Sequence, residues 1–197
     1  MTKTEQLKQI KDEVLNLVES PLYVYRTENK YLPVIGEGSH EAKIMFIGEA
    51  PGKNEALTGR PFCGRAGKIL DELLASIKLK REEVYITNIV KDRPPENRDP
   101  SPEEIKIYAP FLERQIKILE PAVIATLGRF SMKYVLELFN RPEQSEPISK
   151  LHGQKILAQS AYGTVFILPL FHPAATIYNQ SLKETLFADF KGLKEFR

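Results

Sequence analysis

The chain predicts an α/β fold with a parallel sheet, and three observations lead there. Four short apolar runs, residues 44–47, 84–87, 123–127 and 165–169, are each too short for a helix. Helical patterns at 66–77, 102–119, 129–139 and 181–196 follow them in turn, the alternation that builds βαβ units. The first run passes directly into a polar loop, Gly48-Glu49-Ala50-Pro51-Gly52, with a carboxylate at its tip.

Taken in order, residues 4–19 set Leu7, Ile10, Val14, Leu17 and Val18 on one helical face, and Ser20-Pro21 marks the end. An extended region covers 23–38. Residues 44–47 read as a strand buried on both faces, and in an open α/β sheet the loop after such a strand is where ligands bind. Ser101 ahead of Pro102-Glu103-Glu104 is a strong helix start: a capping hydroxyl, proline at the first helical position and acids in the first turn. Residues 140–160, with Pro142, Pro147 and Gly153, lack periodicity and read as a turn or an edge element.

At 197 residues the chain fits a single domain, 1–197, able to bury a core without disulfides. Hydrophobic content of 42% and charged content of 27% are ordinary for a globular protein. No apolar stretch approaches the roughly 18 to 20 residues of a membrane span, and the polar N-terminus is no secretion signal, so the expectation is a cytoplasmic protein. A net charge of +2 permits nucleic-acid binding without arguing for it. Distribution says more, because Arg60, Arg65, Lys68, Lys91, Arg93, Arg98, Arg129 and Lys133 all fall in or beside loops that should follow strands.

Five segments carry a resemblance: GEAPG at 48–52, GRPFCGRAG at 59–67, YITNIVK at 85–91, RPPENRDP at 93–100 and HPAA at 172–175. Their order and spacing resemble the family 4 uracil-DNA glycosylases over most of the chain, and several motifs in register are far more specific than any one. The resemblance implies a three-layer α/β/α fold with a central four-stranded parallel sheet. It also implies uracil-containing DNA as partner and hydrolysis of the N-glycosidic bond to leave an abasic site. The absence of a plausible pocket lysine nucleophile points to a monofunctional enzyme, and a monomer is expected.

The chain departs from the family in one respect. The resemblance implies four cysteines holding an iron–sulfur cluster, at positions that here carry Leu17, Ser20, Asp92 and Tyr108. A cubane needs thiolate ligands, and Cys63 is the only cysteine. The expectation is therefore a colourless protein without cofactor or metal. Leu17 and Tyr108 would pack apolar surface in place of the cluster while Ser20 or Asp92 hydrogen-bonds there, and the four positions should lie together.

Enzymes acting on a duplex base extrude it into a pocket that must stack it, read its edge and stabilise the departing charge. Asn88 closes the second run, and its amide can pair with N3–H and O4 of uracil, where cytosine presents the reverse pattern. Phe62 supplies the stacking ring by resemblance, and His172 a neutral donor for the O2 of the departing uracil. Glu49 is the candidate carboxylate beside the sugar, with a competing structural role bonded to loop amides. The Asp carried two positions later by family 1 enzymes is Pro51 here. Ala50 is placed with the substrate, and Glu55 near the base C5 edge or, equally, in solvent.

Arg65, Lys91 and Arg98 are expected to contact DNA phosphates and Tyr178 to wedge into the duplex. Two rival readings stay open: a degenerate module that binds uracil or DNA without turnover, and an α/β enzyme holding a small phosphate in its Gly-rich loop.

Overall fold

The computed structural model describes residues 1–177 and 179–197, so the wedge assigned to Tyr178 lies outside the described residues. Six strands form one sheet: β1 (Glu37–Gly38), β2 (Ile44–Gly48), β3 (Tyr85–Asn88), β4 (Val123–Leu127), β5 (Ile156–Ser160) and β6 (Gly163–Leu170). Their order is β1-β3-β2-β4-β6-β5. The four runs predicted from the sequence are the inner strands, and all three of their pairings are parallel.

The four-stranded count needs correcting, because an antiparallel strand closes each edge. β1 is two residues long and leaves no periodic signal. β5 alternates, with Ile156 and Ala158 buried while Leu157 is exposed, the signature of an edge strand with one solvated face. It falls within the stretch read as a turn or edge element.

Helices cover both faces. Met45, Ile47 and Ile124 face one layer with α1 (Lys3–Leu15), α5 (Pro102–Leu119) and α6 (Arg129–Leu138). Ile44, Phe46 and Ala125 face the other with α4 (Arg65–Ser76) and α8 (Gln180–Phe190), where the Phe46 and Phe190 rings stack 5.6 Å apart. Successive side chains of a strand point to opposite faces, so an uninterrupted apolar run is what a sheet buried on both sides requires.

Local signals set the helix starts. Thr2 and Ser101 each close a capping box, with Glu5 and Glu104 respectively. α1 stops at Leu15, short of the predicted 19. Arg26, from α2 (Tyr23–Glu28), donates to the carbonyls of Val14 (2.9 Å) and Leu15 (2.7 Å) and so satisfies the helix end from outside. Among the described residues no helix is long and apolar enough to cross a membrane.

Candidate active site

The parallel strands end on the same side, and the loop after Gly48, Asn88 and the turn beyond Leu170 all open onto one cleft of about 510 Å³. Glu49, Ala50, Glu55, Phe62, Asn88, Arg98 and His172 all line it. Most of the site candidates named from the sequence are therefore brought together.

Gly48 pairs in register with Asn88, and a methyl group at Gly48 would lie 2.3 Å from Asn88 Oδ1 and 2.8 Å from the Phe62 ring. The missing side chain is what lets the amide and the ring approach across the strand end. Asn88 is 2% exposed, yet among the described residues nothing hydrogen-bonds its side-chain amide. Its amide atoms are not among the fully buried polar atoms that lack a partner, so they stay open to the cleft and to a ligand's edge.

Phe62 sits at φ 48°, a left-handed conformation that costs a bulky residue on the order of 1–3 kcal/mol. Its surroundings over-determine it. A methyl group at Gly67 would lie 1.7 Å from the Phe62 carbonyl, so α4 can pass there only with glycine. Glu55 Oε1 accepts from the N–H groups of Cys63 (3.0 Å) and Gly64 (2.9 Å), and Arg81 donates to the Pro61 carbonyl. Glu55 is thus the carboxylate bonded to loop amides, the role weighed for Glu49; it still borders the cleft.

The Glu49 side chain makes no hydrogen bond among the described residues. Burial, reinforced by the negative charge of Asp99 and opposed by Arg129, pushes its pKa up to about 7. For His172, burial lowers the pKa to about 4 despite the opposing charge of Glu55, so the ring is neutral at physiological pH. The Ala174 N–H donates to its Nδ1 at 3.1 Å, which puts the ring proton on Nε2. The His172 ring lies 5.7 Å from that of Phe62, tilted by 33°.

Lys91 requires a correction. It is fully buried, with its amine bonded to Thr87, Asn88 and Gln115, and cannot reach a phosphate. Arg65 is exposed in the first turn of α4, and Arg98 is held at the cleft rim by a bidentate pair with Glu104 at 2.6 and 2.9 Å. Asp99, which borders the cleft and pairs with Arg129 at 3.4 Å, stood within the RPPENRDP motif but was given no role.

The four positions of the family's cysteines do lie together. Ser20 Oγ and Tyr108 Oη are 2.7 Å apart, Tyr108 donates to Asp92 at 2.6 Å, Asp92 pairs with Arg26 at 3.0 Å, and Leu17 packs beside them in the core. The side chains here are a hydroxyl, a phenol, a carboxylate paired with a guanidinium and a leucine, none of them a thiolate, so these residues do not fit an iron–sulfur cluster. Arg26 was not anticipated, since nothing local marks an arginine that is 5% exposed.

An α/β/α layering with a cleft at the strand ends, lined by an amide, an aromatic ring and a neutral imidazole, has the parts a nucleobase-binding enzyme needs. A model of the Uracil DNA glycosylase superfamily matches residues 35–191. The chain is 43% identical over 192 residues to the type-4 uracil-DNA glycosylase of Sulfurisphaera tokodaii, covering 97% of this chain and 84% of that one. It is 41% identical over 191 residues to the type-4 enzyme of Archaeoglobus fulgidus, covering 97% and 93%, and 44% identical over 193 residues to that of Saccharolobus solfataricus, covering 97% and 86%. The chain belongs to the uracil-DNA glycosylase superfamily, on the side of its type-4 members.

Proposed function

We propose that the chain removes uracil from DNA by hydrolysing the N-glycosidic bond, leaving an abasic site for repair. The observation that carries this reading is the convergence of Phe62, Asn88 and His172 on one cleft with the Asn88 amide unpaired.

An extruded uracil stacks on Phe62, with its N3–H and O4 on the Asn88 carbonyl and NH2. Cytosine leaves both groups opposed to their own kind, and that mismatch is the source of discrimination. As the C1′–N1 bond breaks, its electron pair stays with the base, and the His172 Nε2–H donates to O2 where negative charge gathers. A water oxygen bonds to C1′ and passes its proton to Glu49, a carboxylate with a pKa of about 7 and so basic enough at neutral pH to accept it. The uracil anion takes its proton from solvent. Lys91 is bound in a sealed cage, which supports attack by water over attack by a lysine amine.

Arg98 at the cleft rim and the exposed Arg65 at the start of α4 contact phosphates flanking the extruded nucleotide, and Tyr178 remains the candidate wedge. The chain works as one domain and as a monomer in the cytoplasm. The clamp of Ser20, Tyr108, Asp92 and Arg26 takes the place of a cluster, making the protein colourless; visible absorbance with iron and sulfide in the purified protein would overturn that part.

The test of the activity is incubation with uracil-containing and matched thymine-containing oligonucleotides, followed by alkaline cleavage of abasic sites. Uracil-dependent strand breaks that vanish in Asn88→Ala are expected. Tight uracil-DNA binding with no breaks at any protein excess would instead mark a module that binds without turnover.

A further inference from the structure

Lys91 is fully buried, with three oxygens within hydrogen-bond distance of its Nζ: the Asn88 carbonyl at 2.6 Å, Gln115 Oε1 at 2.6 Å and Thr87 Oγ1 at 2.8 Å. A carbonyl and an amide oxygen bring no proton. The one proton of the Thr87 hydroxyl is already committed to the Ile35 carbonyl at 2.6 Å. Turning the Gln115 amide over is no escape, because its Nε2 donates to that same carbonyl at 2.9 Å, and exchange would set two acceptors face to face. Three acceptors with no proton to offer require three N–H donors. Desolvation draws Lys91 toward the neutral amine and the cage draws it the other way; the geometry is that of an ammonium.

Among the described residues no carboxylate shares the cage. Asp92, next in the chain, is engaged by Arg26 and Tyr108. An uncompensated buried charge is costly, and that cost recurs where charge serves a site. Here the charge is one carbonyl away from the residue that reads the base. The same strand end is closed by the Ile89 and Val90 N–H groups donating to the Gly48 and Glu49 carbonyls, both at 3.0 Å, so Lys91 braces a rigid corner of the cleft.

Building on the uracil-excising reading above, we infer that Lys91 is a positioning residue for Asn88 whose buried ammonium also makes the cleft favour the uracil anion as leaving group. Positive charge fixed in a low-dielectric interior acts on a developing anion without touching it, and costs no reorganisation when the bond breaks.

Leaving-group dependence separates this from a purely structural role. 5-Fluorouracil departs as a more stable anion and needs less help. Single-turnover excision of uracil and of 5-fluorouracil from otherwise identical DNA is compared for the intact protein, Lys91→Met and Gln115→Glu. Lys91→Met removes the charge at similar length, and Gln115→Glu keeps an oxygen on Nζ and adds a counter-charge, at the cost of the Nε2 bonds to the Ile35 carbonyl and the Tyr85 hydroxyl. Uracil excision is expected to slow about tenfold or more in each variant and 5-fluorouracil excision distinctly less. Binding of DNA carrying an uncleavable 2′-fluoro-deoxyuridine should weaken by much less than the factor by which uracil excision slows. If Lys91→Met fails to fold, Gln115→Glu carries the comparison alone. Equal slowing of both bases, or no slowing, overturns the inference while the intact protein's activity stands. An intact protein that excises neither base overturns the glycosylase reading and the inference with it.

Discussion

The cleft and the clamp below α1 are both buried and polar, yet they are built on opposite rules. In the clamp, Ser20, Tyr108, Asp92 and Arg26 bond to one another, and Arg26 also ties down the end of α1. In the cleft, the Asn88 amide and the Glu49 carboxylate have no protein partner among the described residues, and Phe62 sits in a costly backbone conformation. A satisfied polar network holds a fold together; an unsatisfied one is shaped for something that arrives later.

Substitutions in the two regions should therefore separate cleanly. The largest effect is expected from Asp92→Ala, which strands the Arg26 guanidinium in the core and should lower unfolding free energy by about 3–5 kcal/mol, read by denaturant titration. Restored stability in the double variant Arg26→Met with Asp92→Leu would sharpen the point, since the cost lies in breaking the pair. His172→Ala should reverse the pattern, cutting the single-turnover excision rate by about 10²–10³-fold with little change in stability. A stability loss matching that of Asp92→Ala would erase the distinction between the two regions.

A smaller effect concerns pH. Glu49 is protonated below its pKa of about 7 and cannot then accept the proton of water, so kcat/KM should fall about tenfold per unit on the acid side. His172, at about 4, stays neutral through that range and adds no second limb. In Glu49→Gln the acid limb should vanish and leave a low, flat profile; a limb that persists would assign the titration to another group.

What could be read from the sequence follows the range of the forces involved. Ser101-Pro102 fixed the start of α5 because capping is local, and the four inner strands showed themselves because burial on both faces demands an unbroken apolar run. β1 was invisible because a pair of residues carries no period. The end of α1 was misjudged because its cap comes from Arg26 on the next helix. Lys91 reads as a phosphate contact from sequence because its burial depends on the distant Gln115, 24 positions on, as well as on Thr87 and Asn88. The cleft residues were recognised as a set by motif, but the division of labour between Glu49 and Glu55 is a matter of which carboxylate meets the Cys63 and Gly64 amides, and spacing does not say.

The most direct measurement is a crystal structure with duplex DNA carrying a single 2′-fluoro-deoxyuridine, which resists cleavage. The account predicts an everted uracil flat against Phe62, with N3–H and O4 on the Asn88 amide and O2 toward His172 Nε2. A base left stacked in the helix, or one seated in the cleft with its edge turned away from Asn88, would contradict it.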